Sequence, residues 1–81
     1  MSRVVIDVRQ PVEFDRGHHS EAINIPLKKI RKICKLHPNI QFNDDVIVYC
    51  HSGYRSGAAR RKLIKLGFRS VESRVDQYQV D

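Results

Sequence analysis

Cys50 closes an apolar run and is followed at once by His51-Ser52-Gly53-Tyr54-Arg55-Ser56. A cysteine is a nucleophile only as its thiolate. The ordinary thiol pKa of about 8.5 falls where backbone N–H groups, a helix N-terminus or cations favour the anion. The segment from His51 to Arg55 has to turn between a buried strand and a helix, and Gly53 eases that turn, so several backbone N–H groups should converge near the sulfur. The start of the following helix favours negative charge, and Arg55 and Arg60 add positive charge. The expected product is a reactive anion in an anion-binding cradle, suited to attack on sulfur and to holding a persulfide. A lone cysteine more often fills space at a strand end. Here strand, cysteine, glycine loop, arginine and helix cap stand in the order the chemistry needs.

The other candidates lack that context. Cys34 sits among Lys and Ile at helical spacing and reads as a core or boundary residue without a catalytic part, so both cysteines are taken as free thiols. Neighbouring side chains point apart, which makes His51 a loop residue at the pocket mouth rather than the base of a Cys-His pair. His18-His19 is an adjacent pair, and Cys34 with His37 lies in one helix without two further ligands, so no metal and no cofactor is expected.

Elements to position this loop follow from periodicity. Val4-Val5-Ile6-Asp7-Val8 reads as a strand covered on both faces, ending before Pro11. Pro11 opens a short helix to Arg16 that carries Phe14 inward, and Gly17 closes it. His18 to Glu21 is loop, and Ala22-Ile23-Asn24-Ile25 is a brief strand before Pro26. Leu27, Ile30, Ile33, Cys34 and Leu36 repeat at helical spacing opposite Lys28, Lys29, Arg31, Lys32 and Lys35, predicting an amphipathic helix that ends near Pro38-Asn39. Asn43-Asp44-Asp45 turns the chain into Val46-Ile47-Val48-Tyr49, the strongest strand signal and the expected centre of the sheet. Ser56 is placed as the cap of a helix with Ala59, Leu63 and Leu66 on its apolar side, stopped by Gly67. Phe68 to Glu72 reads as a last strand, and Ser73 to Asp81 is polar and without assignment. The expected fold class is α/β, a small mostly parallel sheet flanked by helices, in a single domain over residues 1–81. Ligands in such sheets bind beyond the carboxyl ends of the strands, where Cys50 lies.

Composition narrows the partners. Of 81 residues 41% are hydrophobic and 30% charged, as in an ordinary globular chain. The net charge of +6 is concentrated from Lys28 to Lys35 and from Arg55 to Lys65 and favours anionic partners. There is neither zinc-ligand spacing nor an aromatic base-stacking pattern, so no nucleic acid is expected, and the basic helix positions read as solvated faces. The first apolar run is far too short for a signal peptide or membrane span. The reading is a cytoplasmic monomer without membrane contact, or a periplasmic one where a leader has been removed.

Ile6-Asp7-Val8-Arg9 with Glu13-Phe14, then Gly17-His18 and Ala22-Ile23-Asn24-Ile25-Pro26, then Val48-Tyr49-Cys50 through Ser56 with Ala58-Ala59, Leu63 and Gly67-Phe68, resemble the rhodanese (thiosulfate sulfurtransferase) family. The likeness runs from Val4 to Glu72 and is strongest to small single-domain members of the phage-shock-protein E kind. It implies a ping-pong reaction. Cys50 takes the outer sulfur of thiosulfate, releases sulfite, and gives the sulfur to cyanide or a thiol. It also implies that His51, Ser52, Gly53, Tyr54, Arg55 and Ser56 bind the small anionic donor and hold the persulfide, with Asp7 and Arg9 in support. Asp7 is expected to orient the loop through hydrogen bonds. Three departures stand out: Glu21 where the family often has glycine, Arg74-Val75-Asp76 where Gly-Gly is common, and a start at the Asp-x-Arg strand. A sulfur carrier fed by a protein donor is the alternative, and a non-catalytic binding module ranks lower. Phosphatases of this fold class place five residues between cysteine and arginine. Here four intervene, and Ser56 stands where their arginine would be.

Overall fold

The two apolar runs richest in β-branched residues become the inner strands of one parallel sheet. The computed structural model describes residues 3–81. In it β1 (Arg3–Asp7) and β3 (Asp45–Cys50) lie side by side, with Ile6 opposite Val48 and Asp7 opposite Tyr49. β2 (Ala22–Asn24) flanks β1 and β4 (Ser70–Val75) flanks β3, so the order is β2-β1-β3-β4 with every pairing parallel. Parallel neighbours need crossovers rather than hairpins. These are α1 (Pro11–Arg16), then a 3-10 segment Leu27–Lys32 running into α2 (Ile33–Leu36), then α3 (Tyr54–Leu66). The α/β architecture expected from the sequence is the one observed.

Strand alternation decides which way the site faces. On β3, Val46, Val48 and Cys50 share one side and are buried with Ile30, Ile33, Ala59, Leu63 and Phe68, the core beneath the helical crossovers. Ile47 and Tyr49 take the other side, where Val5 and Val80 join them. The sulfur of Cys50 therefore points toward the helical face, directly under the start of α3.

Several local expectations are corrected. Residues 27–36 do not form one amphipathic helix but a 3-10 segment and a single α turn. The chain enters the segment with the Leu27 N–H donating to Val8 O and the Lys29 N–H donating to Pro26 O, an i+3 bond that sets a 3-10 turn at its start. Cys34, read as core or boundary, is exposed, as is Leu36. Phe14 is not a core residue: it is half-buried and stacks flat on His18 with ring centroids 3.5 Å apart. Leu66 is exposed. Phe68 precedes the last strand rather than opening it and enters the core edge-on to Phe42, centroids 4.9 Å apart. β4 runs on to Val75. The unassigned tail forms a 3-10 turn, Gln77–Gln79, and buries Val80 against Val5 and Tyr49, while the Asp81 carboxylate binds Arg3 and His19.

Candidate active site

Gly53 has φ 87°, in the left-handed region, and this turn folds the loop back over its own strand end. The Gly53 N–H donates to the Cys50 sulfur at 3.0 Å and the Ser56 N–H at 3.3 Å. A Cβ on Gly53 would stand 3.0 Å from Val75 Cγ2, so the loop also lies hard against the end of β4. Gly53, not Ser56, precedes the first turn of α3. Ser56 is buried one turn in, its hydroxyl 3.5 Å from the Cys50 sulfur, 2.8 Å from Ser73 Oγ, 3.2 Å from Gly53 O and 3.3 Å from Arg74 O. The sequence missed Ser73 because its relevance comes from register: it lies opposite Val48 on β4. With Ser73 donating to Ser56, the single Ser56 proton is shared among the Cys50 sulfur and the Gly53 and Arg74 carbonyls.

Two influences on the Cys50 thiol oppose each other. Burial pushes its pKa up, while hydrogen bonds from the Ser56 hydroxyl and from the N–H groups of Ser56, Gly53 and Ser52 pull it down, and the net result is below the ordinary thiol value. In a Cys34→Ser background, iodoacetamide should alkylate Cys50 along a pH curve whose midpoint lies below the roughly 8.5 of a free thiol. A midpoint at or above that value would mean that desolvation wins.

Arg55 does not stand free. Its guanidinium makes a two-point pair with Glu13, NH1 to Oε1 at 2.6 Å and NH2 to Oε2 at 3.0 Å. Arg55 holds the Glu13 carboxyl down at about 2, and Arg55 itself is raised by the same contact. Glu13 also accepts the Gln10 N–H at 3.0 Å, the capping box that starts α1. The box was not read from the sequence, since Gln10 is not one of the usual cap residues, and its reach to Arg55, 42 residues away, leaves no local sign.

Asp7 is fully buried at the end of β1. Its oxygens accept from Arg9 N at 2.9 Å, Arg9 Nε at 3.0 Å, Arg9 NH2 at 2.7 Å and the Tyr49 hydroxyl at 3.0 Å. Among the described residues it makes no hydrogen bond to the loop from His51 to Ser56, so it acts on the loop only through Tyr49, the residue before Cys50. Burial raises the Tyr49 hydroxyl to about 12, keeping it a donor to Asp7. His51, Ser52 and Tyr54 lie exposed on the rim. Elsewhere, ligand atoms of His19, Glu21 and Asp81 come within 4.8 Å of one another. The Arg3 guanidinium binds both carboxylates, and His19 Nδ1 accepts the Glu21 N–H.

The sequence profile described as the rhodanese-like domain matches residues 1–75. The chain belongs to the rhodanese family. Thiosulfate sulfurtransferase PspE of Escherichia coli is 42% identical over 69 residues, covering 84% of this chain and 64% of that protein. YrkF of Bacillus subtilis, assigned provisionally as a sulfur carrier protein, is 34% identical over 67 residues, covering 83% of this chain and 35% of YrkF. The chain thus spans less than two thirds of either relative. A rhodanese from E. coli solved with anions superposes with a TM-score of 0.85 at 36% identity, covering 98% of this chain and 92% of that one. Among the described residues no helix is long and apolar enough to cross a membrane.

Against the rhodanese pattern, the segment in place of Gly-Gly carries a visible strain. Asp76 takes φ 72° and ψ 152°, a region that side chains other than glycine rarely enter, so that its N–H can reach the Cys50 carbonyl at 2.6 Å. Asp76→Gly should raise stability by about 1 kcal/mol, read as a higher denaturation midpoint at unchanged slope. A lower midpoint would show that the Asp76 side chain contributes more than the strain costs.

Proposed function

We propose that the protein is a sulfurtransferase that accepts the outer sulfur of thiosulfate on Cys50 and passes it to cyanide or a thiol. The observation that carries this reading is the Cys50 sulfur faced by the Gly53 and Ser56 N–H groups, because a persulfide anion needs its charge stabilised where it forms. The Cys50 thiolate attacks the outer sulfur, and the sulfur–sulfur bond of thiosulfate breaks with its electron pair leaving on sulfite. One negative charge remains on the new persulfide. An acceptor anion then attacks the outer sulfur and releases Cys50 as thiolate, so neither step needs an external oxidant or proton donor.

The loop side chains and Arg55 form the rim that meets the dianionic donor. Glu13 tempers the Arg55 charge and fixes its plane. Because Cys50 lies beneath the loop, the exposed His51 and Ser52 have to shift to admit a sulfur atom, which favours a small donor. Incubation with thiosulfate should add one sulfur atom to Cys50 in the intact mass, and cyanide should remove it with release of thiocyanate. An unchanged mass under both conditions would sink the reading. The carrier reading draws on the likeness to YrkF. It predicts that the same persulfide forms faster from a protein persulfide donor than from thiosulfate.

A further inference from the structure

Ten of the fifteen Lys and Arg residues, and none of the nine Asp and Glu residues, lie in residues 27–36 and in α3. The other five cations and nine carboxylates leave the rest of the chain at −4, although the whole carries +6. The two basic elements pack side by side, so the charge separates into one layer. A merely solvated helix face mixes signs, with Glu and Lys paired at i, i+4. This one has no such pair. Among the described residues only Arg55 of the ten has a carboxylate partner, Glu13. Between the two elements lies a shallow cleft of about 160 Å³ with small Ala58 at its lining and Arg31, Arg61, Lys62 and Lys65 around it. Like charges at this density repel one another and cost stability unless an anion meets them.

We propose that this cleft docks an acidic surface of a thiol-bearing protein, the acceptor of the Cys50 sulfur. The inference rests on the sulfurtransferase reading above. Placement supports it: α3 begins directly after Gly53, whose N–H holds the Cys50 sulfur. Arg61 follows Tyr54 by seven residues, about 10 Å along the helix axis. A protein seated in the cleft can therefore present a loop-borne thiol at the rim, where Tyr54 is 80% exposed. The acceptor thiolate attacks the outer sulfur, the Cys50 sulfur–sulfur bond breaks, and a persulfide anion on the acceptor replaces the one on Cys50. A nucleic acid fits less well. It has no thiol, and Tyr54 is the sole aromatic in these two elements on which a base could stack.

The test uses the full chain loaded with thiosulfate and two synthetic acceptors of equal length, each with one cysteine, one rich in Asp and Glu and one in Ser and Gly. The acidic peptide should take the sulfur about tenfold faster at low salt, an advantage that shrinks as salt rises. R61E with K65E should abolish the advantage. R16E with R69E, the same change of net charge placed elsewhere, should preserve it. Both variants should keep the thiosulfate-to-cyanide rate of the parent. Equal rates for the two peptides, or equal losses in both variants, overturn the proposal. So does an oligonucleotide of matched charge that competes better than a cysteine-free acidic peptide. Anisotropy of a labelled acidic peptide reports docking alone. Salt-sensitive binding at the cleft without sulfur transfer to any acceptor would uphold the surface and count against the chemistry at Cys50.

Discussion

Cys50→Ser should lower thiosulfate-to-cyanide transfer by at least about 10⁴-fold while leaving the fold intact, because in the proposed reaction Cys50 is the one group that both half-reactions share. A serine oxygen can accept the same Gly53 and Ser56 N–H bonds that now reach the sulfur, so the loop retains its shape. Serine neither ionises near neutral pH nor forms a stable sulfur adduct, and no sulfur should be gained on exposure to thiosulfate. Cys34→Ser is the matching control. Cys34 is exposed and far from this loop in role, so its loss should leave the rate unchanged. Thiocyanate formation, intact mass and the denaturation midpoint measured together check the outcome. A Cys50→Ser protein that kept more than about one per cent of the rate would move the nucleophile elsewhere.

Asp7→Ala should destabilise the protein by about 3–5 kcal/mol, a large share of the total stability of a domain this size. Asp7 is fully buried, and its two oxygens answer Arg9 at three nitrogen atoms and Tyr49 at its hydroxyl. Removing the carboxylate leaves the Arg9 guanidinium, only 13% exposed, short of its counter-charge. It also leaves a buried tyrosine hydroxyl without its acceptor. Arg9 keeps its bond to the Gly17 carbonyl and its place over the Tyr49 ring, which puts the loss below that of a wholly isolated charge. Denaturant titration of Asp7→Ala, Arg9→Met and the double variant should show strong coupling, with the double variant losing much less than the sum. Additive losses would mean that the pair is not the unit described. Activity should fall with stability, since Tyr49 sets the strand position of Cys50.

Much of the architecture could be read from residue order. The β-branched runs Val4–Val8 and Val46–Tyr49 had too few residues for helices and no polar alternation, so they had to be strands covered on both faces, and parallel pairing followed from the helical stretches between them. Cys50 stood out as a candidate from residue order too: it ends an inner strand, with a glycine and an arginine at fixed distance behind it. Local periodicity misled where charge or geometry overrode it. The pattern from Leu27 to Leu36 had the spacing of a helix, but the segment starts in an i+3 turn tied to Pro26 and Val8 and becomes α-helical only from Ile33. Ser56 looked like a cap because it precedes the apolar positions of α3, and the left-handed turn at Gly53 starts the helix three residues earlier.

Residue types and spacing alone determined that a parallel α/β sheet would hold a cysteine at a strand end, in a short glycine-containing loop that leads into a strongly basic helix. Tertiary structure alone decided which groups surround that cysteine. The Arg55–Glu13 pair joins residues 42 apart, Ser56–Ser73 joins residues 17 apart, and Arg3–Asp81 ties the two ends of the chain across 78. Such contacts leave no periodic trace, because a hydrogen bond depends on where strand register and side-chain direction place two atoms, and those are set only when the whole sheet has assembled.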